Sequence, residues 1–154
     1  MSTLLLTRTD VSRLLEPLIL LDDLRRGFVA AARATIPPQR ARSDLPRGAS
    51  SSPNSAAVLF PGLLDNIPAY SVKVHAKFPG ETPAMRGLVQ LFDSATGALL
   101  AVLDSGYLSA LRIAAAAAVA ADALAQPEAS RVALIGAGTQ NAWQLGLLSH
   151  VRQL

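Results

Sequence analysis

The chain has no cysteine, which excludes disulfides, thiolate metal sites and a cysteine nucleophile. Histidine occurs only at His75 and His150, too few donors for a structural zinc site. Lysine is confined to Lys73 and Lys77, against twelve arginines. The net charge of +3 is scattered, apart from Arg25-Arg26 and the Arg40/Arg42/Arg47 group. Aromatics make up 5% of the residues and do not interleave with the basic ones, so neither a stacking platform nor a basic stripe for nucleic acid is present. No uninterrupted apolar run reaches the roughly 18 residues of a membrane span; the alanine run from Ile113 to Leu124 is weakly hydrophobic and broken by Asp122. The N-terminus lacks a basic start followed by a long apolar stretch, so no secretory signal is read there. The expectation is a cytoplasmic protein that binds neither nucleic acid nor membrane.

What the chain does have is apolar content: 51% hydrophobic against 16% charged, too apolar for disorder. Its 154 residues leave room for one domain with a real core, and not comfortably for two. Leu4–Leu6 reads as a short strand, and Thr9 or Asp10 as the cap of a brief helix to Leu15. Pro17 suits a helix start, and Leu18, Leu21, Leu24, Phe28 and Val29 carry a helical stripe to about Ala34. Ile36-Pro37-Pro38 stops it, and 40–56, rich in Arg, Ser, Pro and Gly, reads as a long loop.

Strands follow. Ala57–Phe60 is short. In Tyr70–Phe78 the residues alternate, Tyr70, Val72, Val74, Ala76 and Phe78 facing one way, Ser71, Lys73, His75 and Lys77 the other. Gly87–Phe92 and Leu99–Leu103 form a hairpin through Asp93–Gly97, the second strand apolar on both sides and expected to be buried. An alanine-rich helix spans Leu108–Ala125, because alanine has the highest helix propensity. Gln126-Pro127 ends it.

Arg131-Val-Ala-Leu-Ile-Gly136-Ala-Gly138-Thr139-Gln140 is the most informative stretch. Apolar residues enter a glycine turn, and a helix follows whose free N–H groups suit a pyrophosphate. The third small position of the dinucleotide fingerprint falls on Asn141, so the bare pattern fits an ordinary strand-to-helix turn equally well. The acidic residue expected roughly 20 residues further on lies at or beyond Leu154.

Five segments occur in order: Tyr70-Ser-Val-Lys73-Val, Phe78-Pro-Gly80, Phe92-Asp-Ser-Ala-Thr-Gly97, Leu108-Ser-Ala-Leu-Arg112-Ile-Ala-Ala, and Ala133-Leu-Ile-Gly-Ala-Gly-Thr-Gln140. Over roughly residues 36–150 the chain resembles the ornithine cyclodeaminase/mu-crystallin family. That resemblance implies an α/β protein: an α+β substrate and dimerisation domain over 1–126 containing a long alanine-rich helix, then the first βα unit of a truncated Rossmann domain over 127–154. It implies NAD or NADP as cofactor, NADP for a reductase, a small amino or imino acid as substrate, and a homodimer. The activities implied are ornithine or lysine cyclodeamination, alanine dehydrogenation, and reduction of cyclic imino acids such as pyrroline-2-carboxylate.

The resemblance also implies roles for individual residues. Lys73 matches the active-site lysine, which contacts the substrate carboxylate and the reacting nitrogen; a partly desolvated lysine among arginines can move a proton. By pattern alone it sits on a solvated strand face. Arg112 matches an arginine serving the substrate carboxylate and the cofactor side, and a guanidinium can grip a carboxylate through two parallel N–H bonds. Arg40 matches a second carboxylate-binding arginine, with Arg42 a nearby competitor. Gly136, Gly138, Thr139 and Gln140 match the pyrophosphate turn. His75 has no matched role and reads as a neighbour of Lys73. The chain departs from the family pattern at Pro83-Ala84, Ser109 and Ile113, where threonine hydroxyls are common. Cyclic imine reduction is favoured, because it needs only the hydride half-reaction. The competing reading is a non-catalytic binding or dimerisation module, or an inactive fragment, since a site split across two domains cannot close when one is missing.

Overall fold

The computed structural model describes residues 2–34, 39–46 and 55–154. The described residues divide into two compact units, Met1–Val11 with Arg33–Gly106, and Ser12–Ala32 with Tyr107–Leu154.

The first unit is a six-stranded sheet. Its strands are β1 (Leu4–Leu6), β2 (Ala41–Asp44), β3 (Ala56–Gly62), β4 (Ala69–Lys77), β5 (Met85–Asp93) and β6 (Leu99–Asp104), in spatial order β1-β6-β5-β4-β3-β2. β1 runs parallel to β6, and the other neighbours are antiparallel. Period-two alternation on β4 is realised: Tyr70 stacks on Phe92 at 5.0 Å on one face, and Lys73 lies opposite Phe60 and Val89 on the other. Gly87 faces His75 across the β4–β5 ladder. A Cβ there would overlap the Val74 carbonyl and the His75 side chain, so this close backbone approach requires glycine.

The β5–β6 hairpin forms where expected. Asp93 Oδ1 accepts hydrogen bonds from the Ala95 and Thr96 N–H groups at 3.0 and 2.7 Å and from the Thr96 hydroxyl at 2.8 Å. Gly97 closes the turn at φ +71°. These bonds hold the Asp93 carboxyl below its ordinary value, the Thr96 hydroxyl contributing most. β6 is less buried than its composition suggests. Only Ala101 is fully buried, because among the described residues this unit gives the sheet almost no helical cover.

Two further expectations are corrected. β2 occupies Ala41–Asp44, within the stretch expected to be a loop. It is an exposed edge strand with the sequence Ala-Arg-Ser-Asp, and polar edges carry no hydrophobic alternation to betray them. The remainder of that loop over 47–54, and the Ile36-Pro37-Pro38 stop, lie outside the described residues. Helix α1 (Arg8–Leu14) is capped by Thr7 rather than by Thr9 or Asp10. The Thr7 N–H and hydroxyl donate to Asp10 Oδ2 at 2.9 and 2.6 Å, and the Asp10 N–H donates back to Thr7 Oγ1 at 3.3 Å. This is a reciprocal capping box with aspartate in the third helical position.

The second unit is helical: α2 (Pro17–Arg33), α3 (Ser105–Leu124, whose first two residues belong to the first unit) and α4 (Thr139–Leu148). α3 starts early because Asp104 Oδ1 accepts from the Gly106 N–H at 2.9 Å, an N-cap contact. By length and composition alone α3 could cross a membrane. In the structure Leu111, Ala114, Ala115 and Ala118 pack into a buried cluster with Leu21 and Leu147. Alanine lets the helix backbones approach, and Tyr107 meets Trp143 edge-on at 5.6 Å. Asp122 on α3 pairs with Arg25 of α2 at 2.9 Å. Arg152 donates to the Ala121 and Asp122 carbonyls at 3.2 and 2.6 Å, satisfying acceptors at the helix C-terminus.

Arg131–Ile135, expected as a strand, forms none among the described residues, and Ile135 is 97% exposed. A parallel strand exists only as part of a ladder, and among the described residues no neighbour pairs with this one. The βα order survives as an unpaired segment, a glycine turn and α4.

Candidate active site

On the sheet, the register places a set of polar side chains on one face. Phe60 on β3 lies opposite Lys73 on β4, which lies opposite Val89 on β5. The pairing Ala41↔Leu59 carries Arg40, one residue before β2, into the same row. Its guanidinium carbon sits 6.0 Å from the centre of the Phe60 ring, within cation–π reach. Arg40 and Lys73 are therefore brought together on one face, with Phe60 between them. Two strand spacings put their Cα atoms about 10 Å apart, close enough for two long cationic side chains to meet one carboxylate. Arg42 lies in the adjacent row and pairs with Asp44 at 2.9 Å.

His75 follows Lys73 by two residues on this face. Its ring stacks on Phe60 at 5.5 Å and 17°. Burial, and then the neighbouring Lys73 ammonium, push its pKa below the ordinary 6.5, so the imidazole is neutral near pH 7. Its Nδ1 is buried without a hydrogen-bond partner among the described residues.

In the second unit the glycine turn precedes α4. Gly136 holds φ +99°, a conformation open to glycine and strained for other residues. Gly138 is the N-cap of α4, with φ −85°, ψ 171° and no side-chain cap. Nothing lies within 4 Å of where its Cβ would sit. Neither backbone angle nor packing within the chain demands glycine there, whereas a ligand drawn against the helix N-terminus would. Thr139 and Gln140 open the helix, where N–H groups lack intrahelical acceptors and the dipole favours an anion. This turn fits a dinucleotide pyrophosphate. The Gln140 side chain is committed to structure: its amide donates to the Ala110 carbonyl at 3.1 Å, tying the start of α4 to the α3 turn that carries Arg112. Arg112 itself is exposed and makes no ion pair with a described residue.

Two residues outside the expected set contribute. The Asn141 side-chain amide donates to the Ile135 and Gly136 carbonyls, both at 2.8 Å. Asparagine at the third fingerprint position thus clamps the turn from inside. Its departure from Gly or Ala is the signal visible in the chain. Phe60, the platform between Arg40 and Lys73, carries none, because its role depends on register.

The family model described as "Ornithine cyclodeaminase/mu-crystallin family" matches residues 1–154. An L-lysine cyclodeaminase of Streptomyces rapamycinicus is 31% identical over all of this chain and 48% of its own length. Among solved structures, an archaeal alanine dehydrogenase dimer with bound NAD superposes with a TM-score of 0.89 at 26% identity, over all of this chain and 47% of the other. The Thermococcus litoralis Δ1-pyrroline-2-carboxylate reductase, in complex with NADH and L-proline, gives a TM-score of 0.88 at 27% identity, over 98% and 47%. The chain spans about half the length of these relatives. With a lysine-bearing sheet face, a glycine turn opening a helix, and a family match from the first residue to the last, the chain belongs to the ornithine cyclodeaminase/mu-crystallin family.

Proposed function

We propose that this chain carries the substrate-binding part and the opening of the cofactor-binding part of an NAD(P)-dependent enzyme. That enzyme transfers hydride at the Cα–N bond of an amino or cyclic imino acid. In this reading residues 1–126 form the substrate and dimerisation domain, and 127–154 begin the dinucleotide-binding one. The observation that carries it is the row Arg40–Phe60–Lys73, which presents two cations to one anionic group. Arg40 and Lys73 hold the substrate carboxylate, and Lys73 moves a proton at the reacting nitrogen. Arg112 serves the carboxylate and the cofactor. Gly136, Gly138, Thr139 and Gln140 form the phosphate cradle through backbone N–H groups. A bound NAD(P) supplies the hydride donor or acceptor. Fixing a carboxylate by two charged groups orients Cα for reaction, and orientation accounts for much of such catalysis. Cyclic imine reduction is the favoured activity.

The partner is a second copy. The sheet face opposite Lys73 presents Tyr70, Val72 and Phe92, with Leu5 and Leu59 76% and 43% exposed. Ala41, Leu59, Pro61 and Val72 are among the residues lining a groove of about 560 Å³ there. Cytoplasmic location belongs to the same proposal.

The test is titration of NADPH into the chain, followed by nicotinamide fluorescence, with Gly138→Asp as the control that sets a carboxylate at the cradle. Micromolar binding abolished in the variant supports the reading. The alternative, a binding and dimerisation module without turnover, is favoured by the unpaired Arg131–Ile135 segment, and it predicts self-association with no nucleotide binding.

A further inference from the structure

Resting on the reading of Arg40 and Lys73 as carboxylate ligands, we infer that this sheet face selects substrates whose remainder is uncharged, and discriminates against a second, terminal ammonium. The argument is the distribution of acidic groups. The face presents Arg40, Arg42, Lys73, His75 and Lys77, and between them Phe60, Val89 and Leu91. Among the described residues its acids are Asp44, committed to Arg42 at 2.9 Å, and Asp93 at the end of β5, which shares this face through its pairing with Ala69 and is held in the hairpin turn by the Ala95 and Thr96 N–H groups and the Thr96 hydroxyl.

The remaining acids of the first unit are placed elsewhere. Asp10 caps α1. Glu81 pairs with Arg86 at 3.5 Å. Asp104 lies opposite Leu88 on the other face and caps α3. Asp65 lies in the exposed β3–β4 connection. The residues of this unit outside the described ones contain no aspartate or glutamate.

A diamino acid docked by its carboxylate would set its distal ammonium against an apolar surface already carrying cations. Desolvating a charge without an opposite partner is unfavourable, and like charges nearby add repulsion. A substrate with an apolar or ring remainder meets Phe60, Val89 and Leu91 at no such cost.

The experiment compares L-norvaline with L-ornithine, which differ by the terminal ammonium alone. Both are titrated into the 154-residue chain, reading dissociation constants from the amide shifts of β4 residues. L-Proline serves as a third probe. The expected result is norvaline and proline binding at least tenfold more tightly than ornithine. In Ser71→Asp, which adds a carboxylate two residues before Lys73 on the same face, the gap closes several-fold, while Ser71→Asn leaves it unchanged. Ornithine binding as tightly as norvaline overturns this inference and leaves the carboxylate reading standing. No binding by any probe overturns both. A gap unmoved in Ser71→Asp overturns the sheet face as its source.

Discussion

The imidazole of His75 stacks on the phenyl ring of Phe60 at 5.5 Å, nearly parallel, and this contact buries a titratable group beside Lys73. Burial first, and the Lys73 charge second, lower its pKa from 6.5. The unfolded chain therefore takes up this proton at a higher pH than the folded one. The His75 contribution to stability is fully present above about pH 6.5 and falls away as pH drops through the depressed folded value. Denaturation midpoints measured across pH 7 to 5 should decline, and His75→Gln should flatten that decline. An imidazole titrating at or above 6.5 by NMR would contradict the placement.

Asn141 is expected to shape the phosphate cradle without touching the cofactor. Its amide orients the Ile135 and Gly136 carbonyls. Because N–H lies antiparallel to C=O in a trans peptide, it also directs the N–H groups of Gly136 and Ala137 away from itself. Losing two hydrogen bonds of about 1 kcal/mol each lets the free turn leave its binding shape, and should weaken NADPH binding in Asn141→Ala by up to about thirtyfold. Proline binding at the sheet should not change. Equal NADPH affinity in wild type and variant would show that the turn holds its shape unaided.

Leu111 is completely buried among Leu21, Ala114, Ala115, Ala118 and Leu147. Leu111→Ala should cost about 2–5 kcal/mol, through lost burial and a cavity that small neighbours cannot close. Denaturant unfolding followed by Trp143 fluorescence reads this directly. A loss below about 1 kcal/mol would mean that the helices repack around the gap.

Self-association through the apolar sheet face should respond to charge. Leu59→Lys places an ammonium in the groove beside Pro61 and Val72. Sedimentation should show a dimer for the parent chain and a monomer for the variant. A dimer unaffected by the substitution would place the contact on another surface.

Much of this architecture is legible in the order of residues alone, and what is not has physical reasons. β4 is visible because apolar and polar residues alternate along it with the two-residue period of a strand, and α3 because alanine favours helix irrespective of context. β2 is invisible because an exposed edge strand needs no apolar residues. The Arg131–Ile135 segment looks like a strand by composition, yet strand formation depends on a neighbour that composition does not report. Within the candidate site, Lys73 and the glycine turn stand out by motif. That Arg40 shares a row with Lys73 through Phe60 follows from cross-strand register, which relates residues distant in sequence. Asn141 is marked by its departure from the fingerprint, and only hydrogen bonding explains it.

The most direct measurement is a double-mutant cycle on proline affinity, with Arg40→Gln, Lys73→Gln and the pair. If both cations hold one carboxylate, each single change weakens binding at least tenfold, and the double change costs clearly less than the two combined, the mark of groups sharing one partner. Undiminished affinity in either single variant, or losses that simply add, would contradict it.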